Sequence, residues 1–319
     1  MASIFNALNI GYTGLNAAQV GISTTGHNIA NAEVDGYSRQ RVVLAAETPV
    51  SSAPGNVGNG VEIQNIKRVF DNFIFDRYTG IYEQKEYNDL EKSTLEQLST
   101  FFPEIDEVGI KADLQEYYNM WQTFADNPDN AAIKSALAEQ TEVLSEHIQY
   151  TANQVSTLQS QLNDQVLTSV NEVNALAKEL SEINKSINIA ETAGQYSAND
   201  LRDKRNIIER DLARLVGADV SIGQIESNIQ IYSHSNTATG SYTVNINGVN
   251  IVDGTSYHPI YITNDKTQNG FYEVSYEQED GILIPMEENL NGGKIGSLLN
   301  LRGSAIETTS GIPNDGILQ

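Results

Sequence analysis

Four histidines, two short acidic runs and two glycine-rich stretches are the places where this chain could hold a metal, a phosphate or a reacting substrate. His27, His147, His234 and His258 stand in separate segments. None belongs to a His-x-x-x-His or His-Glu-x-x-His pair, the spacing that sets two imidazoles on one helix face toward a metal. The acidic runs at 104–107 and 277–280 lack the Asp-x-Asp-x-Asp-Gly order and the distal Glu of a calcium loop, and read as solvated charge. Gly55-Asn-Val-Gly58-Asn-Gly60 has no Lys-Ser/Thr after it and reads as a flexible loop, not a phosphate cradle. Gly292-Gly293-Lys294-Ile295 lacks the spacing of a phosphate-binding loop, and there is no Gly-x-Ser-x-Gly elbow. Glu182-Ile-Asn184-Lys-Ser186 fits a glycosylation acceptor, but it falls on a helical stretch where acceptors are unusual. It reads as a coincidence on a polar helix face, with Asn184 expected to point outward. These readings assign no catalytic, cofactor-binding or metal-ligating residue, and the chain is read as a non-enzyme.

The composition removes further classes. The chain has 319 residues, 19 Lys+Arg against 42 Asp+Glu, a net charge of −23 and no cysteine. Phosphate-backbone binding needs clustered cations, so no nucleic-acid partner is expected. The apolar runs fall far short of the ~18 residues of a membrane-spanning helix, so no membrane insertion is expected. Absence of cysteine excludes disulfides, thiolate zinc sites and cysteine nucleophiles. The first Lys or Arg is Arg39, so the N-terminus lacks the basic region of a cleavable secretory signal.

Residues 1–35 predict an amphipathic helix, with Ile4, Leu8, Gly11, Leu15, Ala18, Ile22, Thr25 and Ile29 at spacings of three and four. Gly11, Gly14, Gly21 and Gly26 each cost ~1 kcal/mol in a helix interior. Such a helix is marginal alone and reads as one that forms against a partner. A disordered tail or an ordinary edge helix fits the same period. Residues 36–66 read as irregular to extended, with a strand at 41–46 and a long loop from Pro49 to Gly60.

Residues 67–216 carry long helical patterns. One runs from Phe70 to a stop at Pro103, and a short one surrounds Leu114, Tyr117, Trp121 and Phe124. Asp129 and Asn130 offer capping oxygens to the next. That helix has an apolar seam at Val155, Leu158, Leu162, Val166, Val170, Val173, Leu176, Leu180, Ile183, Ile187 and Ala190, ten steps over 35 residues with a mean of 3.5. The spacing is that of a coiled coil, and no Pro or Gly interrupts 131–193. A further helix spans about 199–216, with Leu201, Ile208, Leu212 and Leu215 inward.

Residues 217–319 switch to period two. Strand patterns occur at 229–232, 242–246, 249–252, 261–263, 271–276 and 282–284. Asn247-Gly248 supplies the positive-φ pair of a two-residue hairpin turn. The expected class is α+β: an amphipathic N-terminal helix with an extended linker (1–66), a long-helix, coiled-coil-like bundle (67–216) and a β-rich outer domain (217–319).

The N-terminal residues then become specific. Ile4-Phe-Asn-Ala-Leu-Asn-Ile-Gly-Tyr-Thr-Gly-Leu-Asn-Ala-Ala-Gln, Asn28-Ile29-Ala30-Asn31 and Gly36-Tyr37-Ser38-Arg39-Gln40 resemble the N-terminus of the bacterial flagellar rod, hook and hook-associated axial family. The Tyr37-Ser38-Arg39-Gln40 continuation is similar to its FlgK-type hook-associated branch. Two later blocks, 200–217 and 292–302, resemble the same branch, so the likeness spans most of the chain.

The resemblance implies a structural subunit at the hook–filament junction of the bacterial flagellum, exported without a cleaved signal and lying outside the cell. It implies self-assembly into a tube through Ile4, Leu8, Leu15, Ile22 and Ile29. It implies as neighbours the hook protein and the adjacent junction protein, hook-associated protein 3. The family also has a terminal helix pairing with 1–35 and, near it, an export-chaperone site. The chain stops at Gln319 without such a helix, and is read as truncated there. Another axial subunit (hook or distal rod) and a secreted hydrolase or adhesin carried by the β region are the competing readings.

Overall fold

The computed structural model describes residues 2–52, 55–103, 109–192, 197–223, 241–263, 270–278, 281–303 and 317–318. In chain order the elements are α1 (Ala2–Ala30), β1 (Gln40–Ala46), β2 (Val50–Ser52), β3 (Gly55–Val57), β4 (Val61–Arg68), α2 (Asn72–Ser99), α3 (Ile110–Asp126), α4 (Ala131–Glu191), α5 (Asn199–Val216), β5 (Asp219–Gly223), β6 (Ser241–Ile246), β7 (Val249–Asp253), β8 (Ser256–Tyr257), β9 (Ile260–Thr263), β10 (Glu273–Glu277), β11 (Leu283–Pro285), a 3-10 turn at Glu287–Asn289 and α6 (Gly293–Arg302). The class is α+β. The chain divides into two compact units.

The first unit comprises Met1–Tyr82, Asn174–Ala213 and Ala218–Pro259. Here β1 and β4 form an antiparallel ribbon with an irregularity at Val43/Leu44, and α1 lies against both strands. The stretch expected as a loop from Pro49 to Gly60 instead contains the small β2–β3 pairing. A four-stranded antiparallel sheet has the order β5-β6-β7-β8. Its β6–β7 turn is the Asn-Gly hairpin: Asn247 has φ 43° and Gly248 φ 100°, and Asn245 Oδ1 accepts from Gly248 N at 2.6 Å. Tyr242, Val244, Ile246, Ile251 and Val252 from this sheet are buried. The strand expected at 229–232 and His234 lie outside the described residues.

The second unit comprises Glu83–Val173, Arg214–Gly217 and Ile260–Gln319. It holds most of α2, α3, the first two thirds of α4, the sheet β11-β10-β9 and α6. Asn130 caps α4, its Oδ1 accepting from Ala132 N at 3.0 Å and Ile133 N at 3.4 Å. The carboxylate of Glu83 lies against Gly217 and Gly292: a Cβ built on either would meet its Oε1 at 2.6 and 2.1 Å. Glycine at both positions is what lets α2, the end of α5 and the start of α6 approach so closely.

The α4 seam is the spine of both cores. Leu158, Leu162, Val166, Val170 and Val173 are buried in the second unit and Leu180, Ile183 and Ile187 in the first. Ala190 at the end of the seam is exposed. One expectation on this helix fails. Asn184 is fully buried, because its Nδ2 donates to the carbonyl of Gly254 after β7 at 2.8 Å and its Oδ1 accepts from Arg205 at 3.5 Å. It is a packed core amide, unlike an accessible acceptor.

Candidate assembly interface

α1 buries the face that its hydrophobicity would not select. Asn6, Thr13, Ala17, Val20, Gly21, Thr24 and Asn28 are its buried or half-buried positions, small or polar, at helical spacing. They allow the backbone of α1 to lie close to the β1–β4 ribbon. At Gly60, where φ is +107°, a Cβ would come within 2.2 Å of Thr13 Oγ1. The opposite stripe of Ile4, Leu8, Leu15, Ile22 and Ile29 is exposed at 69–74%. A helix of this length gains most of its stability from burying an apolar face, and among the described residues that face is uncovered.

The motif residues build the turn that leaves α1. Asn28 Oδ1 accepts from Tyr37 Oη at 2.7 Å and from Gln40 N at 2.8 Å, while its Nδ2 donates to Gln40 O at 2.9 Å. One amide thereby ties the last turn of α1 to the first residue of β1. Asn31 Nδ2 donates back to His27 O at 2.9 Å, and the His27 and Tyr37 rings meet edge-on at 5.5 Å. Gly36 has φ +75°, and a Cβ there would meet Ile207 Cγ1 at 2.4 Å. Ile29 and Ala30 are exposed, as is the Arg39 side chain. The Arg39 carbonyl accepts from Val69 N at 2.7 Å. Ile29 thus belongs to the exposed stripe, and the polar motif residues to the turn.

α5 docks that turn. Ser38 N donates to Asp203 Oδ2 at 3.1 Å, and Gln40 Nε2 to Asp200 Oδ1 at 3.1 Å. Arg210 donates to Asp35 at 3.0 Å. Burial opposes the charge of Arg210, but Asp35 and Asp211 outweigh it and raise its pKa. Asp200, Asp203, Ile207 and Arg210 recur every three or four residues, so one face of α5 holds the turn.

Behind this face lies a buried ionic layer. Arg68 Nη1 donates to Asp203 Oδ1 and Asn206 Oδ1, both at 2.7 Å. Arg202 grips Glu191 with two bonds of 2.8 and 2.6 Å. Glu209 accepts from Tyr242 Oη at 2.7 Å and from Asn206 Nδ2 at 2.9 Å, and Arg205 stacks over the Tyr242 ring at 4.5 Å. Burial raises the Glu209 carboxyl, and burial with the adjacent Glu209 carboxylate raises the Tyr242 hydroxyl too. In the second unit Arg302, fully buried, donates to Asn163 Oδ1 at 2.6 Å, Tyr272 O at 3.0 Å and Glu287 Oε1 at 3.0 Å. Removing one partner of such pairs strands a charge.

Sequence reasoning singled out the turn residues and the stripe but missed Arg68, Asp203, Asn206, Glu209 and Arg302 as a supporting framework. For Asp203, Asn206 and Glu209 the signal was the charged periodicity of 200–210, visible as a block but not as a set of partners. Among the described residues no group of three or more His, Cys, Asp or Glu could hold a metal, and no helix is long and apolar enough to cross a membrane.

Comparison with known proteins places this architecture. The profile described as "Flagellar hook-associated protein FlgK helical domain" matches residues 95–312. The chain is 27% identical over 306 residues to flagellar hook-associated protein 1 of Salmonella typhimurium, covering 95% of this chain and 52% of that protein. It is 29% identical over 235 residues to the protein of the same name from Bacillus subtilis, covering 72% of this chain and 46% of that one. The chain spans about half the length of the relatives it matches. The structure of the flagellar hook junction protein FlgK from Burkholderia pseudomallei matches with a TM-score of 0.57 at 19% identity, over 70% of this chain and 38% of that one, and so shares the fold. With the profile covering more than half of its residues, the chain belongs to the flagellar hook-associated protein FlgK family.

Proposed function

We propose that this chain is a structural subunit of the bacterial flagellum at the hook–filament junction, outside the cell, and that it assembles through α1. The observation that carries the reading is the uncovered stripe of Ile4, Leu8, Leu15, Ile22 and Ile29 on a helix whose polar face is already spent. Each such side chain gains roughly 1.5–3 kcal/mol on full burial, so a partner helix laid along the stripe stabilises both. The Asn28–Tyr37–Gln40 turn sets the angle at which α1 is presented, and Arg39 stands exposed for a neighbour's carboxylate. Membership of the family supports the junction as the place of assembly. Copies of the same chain, the hook protein and hook-associated protein 3 are the expected neighbours.

The test is the double substitution Leu15→Asp with Ile22→Asp. Both side chains are exposed, so the isolated chain should keep its circular dichroism and melting point. Cells carrying the change in the full-length protein should make hooks without filaments and shed filament protein into the medium. Normal filaments in that strain would sink the assignment.

A further inference from the structure

The first unit contains a cleft of ≈ 490 Å³ walled by the end of β4, the start of α2, α5 and β5. Cations outnumber carboxyls in its lining, Lys67, Arg68, Arg202 and Arg205 against Asp76 and Glu209, whereas the whole molecule carries −23. The donors of Arg68 and Arg205 are not all used. Arg68 spends Nη1 on Asp203 and Asn206, but its Nε and Nη2 make no hydrogen bond among the described residues. These two atoms form the edge of a guanidinium that grips a carboxylate or phosphate with two parallel bonds. Arg205 is 4% exposed. Its Nη1 makes one long bond to Asn184 at 3.5 Å. Its Nε lies 3.2 Å from Glu209 Oε1 without the alignment of a hydrogen bond and is left unsatisfied. Buried polar groups ordinarily find partners, so a buried guanidinium with idle donors points to a missing acceptor.

The surrounding carboxylates do not supply it. Asp203 serves Arg68 and Ser38 N, and Glu191 serves Arg202 and Ala198 N. Glu209 is held by Tyr242 and Asn206 and faces Arg205 Nε at 3.2 Å out of hydrogen-bond alignment. Asp76 and Glu209 also line the cleft and are the lining carboxyls that an anion would meet. Burial, together with the crowding charges of Arg202 and Arg205, pulls the Arg68 pKa down despite its bonds to Asp203. An added negative charge would relieve that crowding.

We propose that this cleft is an oxyanion site, taking one phosphate or carboxylate group on the free edge of Arg68 beside the unsatisfied Arg205, with Lys67 at its mouth. The group is either free in solution or borne by an acidic side chain of a second copy of this chain. The site is independent of the α1 stripe, so its failure and that of the assembly reading are separable.

The experiment titrates the 319-residue chain with inorganic phosphate at constant ionic strength, balanced with sodium chloride, and follows thermal unfolding. The expected result is a saturating rise in Tm of about 2 °C or more. Lys67→Gln, at an exposed position, should leave the unliganded Tm unchanged and raise the half-saturating phosphate concentration several-fold. Arg68→Lys keeps a charge opposite Asp203 but loses the fork, and should abolish the rise. Should that variant fail to fold, calorimetric titration of Lys67→Gln against the unaltered chain decides. Sedimentation velocity separates the two sources. Self-association that phosphate disperses identifies a second copy's side chain, and a monomer that binds phosphate identifies a free anion. A Tm that does not rise, rises without saturating, or rises equally in Lys67→Gln overturns the proposal.

Discussion

Asn28 makes three hydrogen bonds with one side chain, and a net ~1 kcal/mol for each makes it the residue whose loss should be felt furthest along α1. Asn28→Ala is expected to cost about 2 kcal/mol of stability in the first unit, with faster hydrogen exchange at Gln40 N and in the last turn of α1. Two glycines nearby should respond with opposite sign. Gly36→Ala forces a side chain into φ +75° and onto Ile207, and should cost at least about 2 kcal/mol. Gly26→Ala meets nothing within 4 Å in a regular helix, and should stabilise by about 0.5–1 kcal/mol. Chemical denaturation of the three variants reads all three signs. The turn residues were legible because Asn, Gly and Tyr crowd into thirteen positions of a known motif. Their supports were not: Arg68 pairs with Asp203, 135 positions away, and Arg302 with Asn163, 139 away. Such pairings leave no local period to read. Asn184 was misjudged for the same reason, since a helical wheel carries no information about Gly254 closing over it.

Among elements, α4 was the most legible, because a seam near 3.5 residues sustained over ten steps admits one structure. Eight of its eleven positions are buried. The Asn247-Gly248 hairpin was equally readable, as two positive φ values in succession are what that dipeptide tolerates. β4 escaped because Val61, Ile63 and Ile66 break their alternation at the ribbon's register shift. α1 shows a different limit. The stripe was read correctly as apolar, but its period alone could not say whether this chain or another covers it; that depended on the small and polar face fitting the ribbon. A pair of substitutions on α4 tests the distinction between covered and uncovered apolar positions. Leu180→Ala, at a fully buried site, should cost about 2–5 kcal/mol. Ile189→Ala, 70% exposed on the same helix, should change stability by no more than about 0.5 kcal/mol. Equal losses in a denaturation series would mean that Ile189 is covered in solution.

At the scale of the whole molecule the excess of 42 acidic over 19 basic residues sets how the fold responds to acid, and the first unit holds two carboxyls that pull in opposite directions. Burial tends to raise Glu191, but the bonds from Arg202 and the Ala198 amide outweigh it and hold its pKa below the ordinary carboxylate value. Its contribution is therefore fully present above the unfolded pKa, near 4.3, and is lost as pH falls through the depressed folded value. Glu209 is raised by burial. Its contribution is fully present below the unfolded pKa and is lost as pH rises through the elevated folded value. The two windows adjoin at the unfolded value, Glu209 acting above it and Glu191 below it. Below the unfolded value only the loss at Glu191 acts, while protonation of the surface carboxylates relieves the repulsion of a −23 chain. Glu191→Gln removes the group that titrates. It should lower Tm at neutral pH, where the grip on Arg202 is lost, and flatten the fall of Tm below about pH 4. Melting curves of both proteins from about pH 3 to about pH 7 give the slopes directly. Parallel curves would show that the acid sensitivity of this fold lies elsewhere than in the Glu191–Arg202 pair.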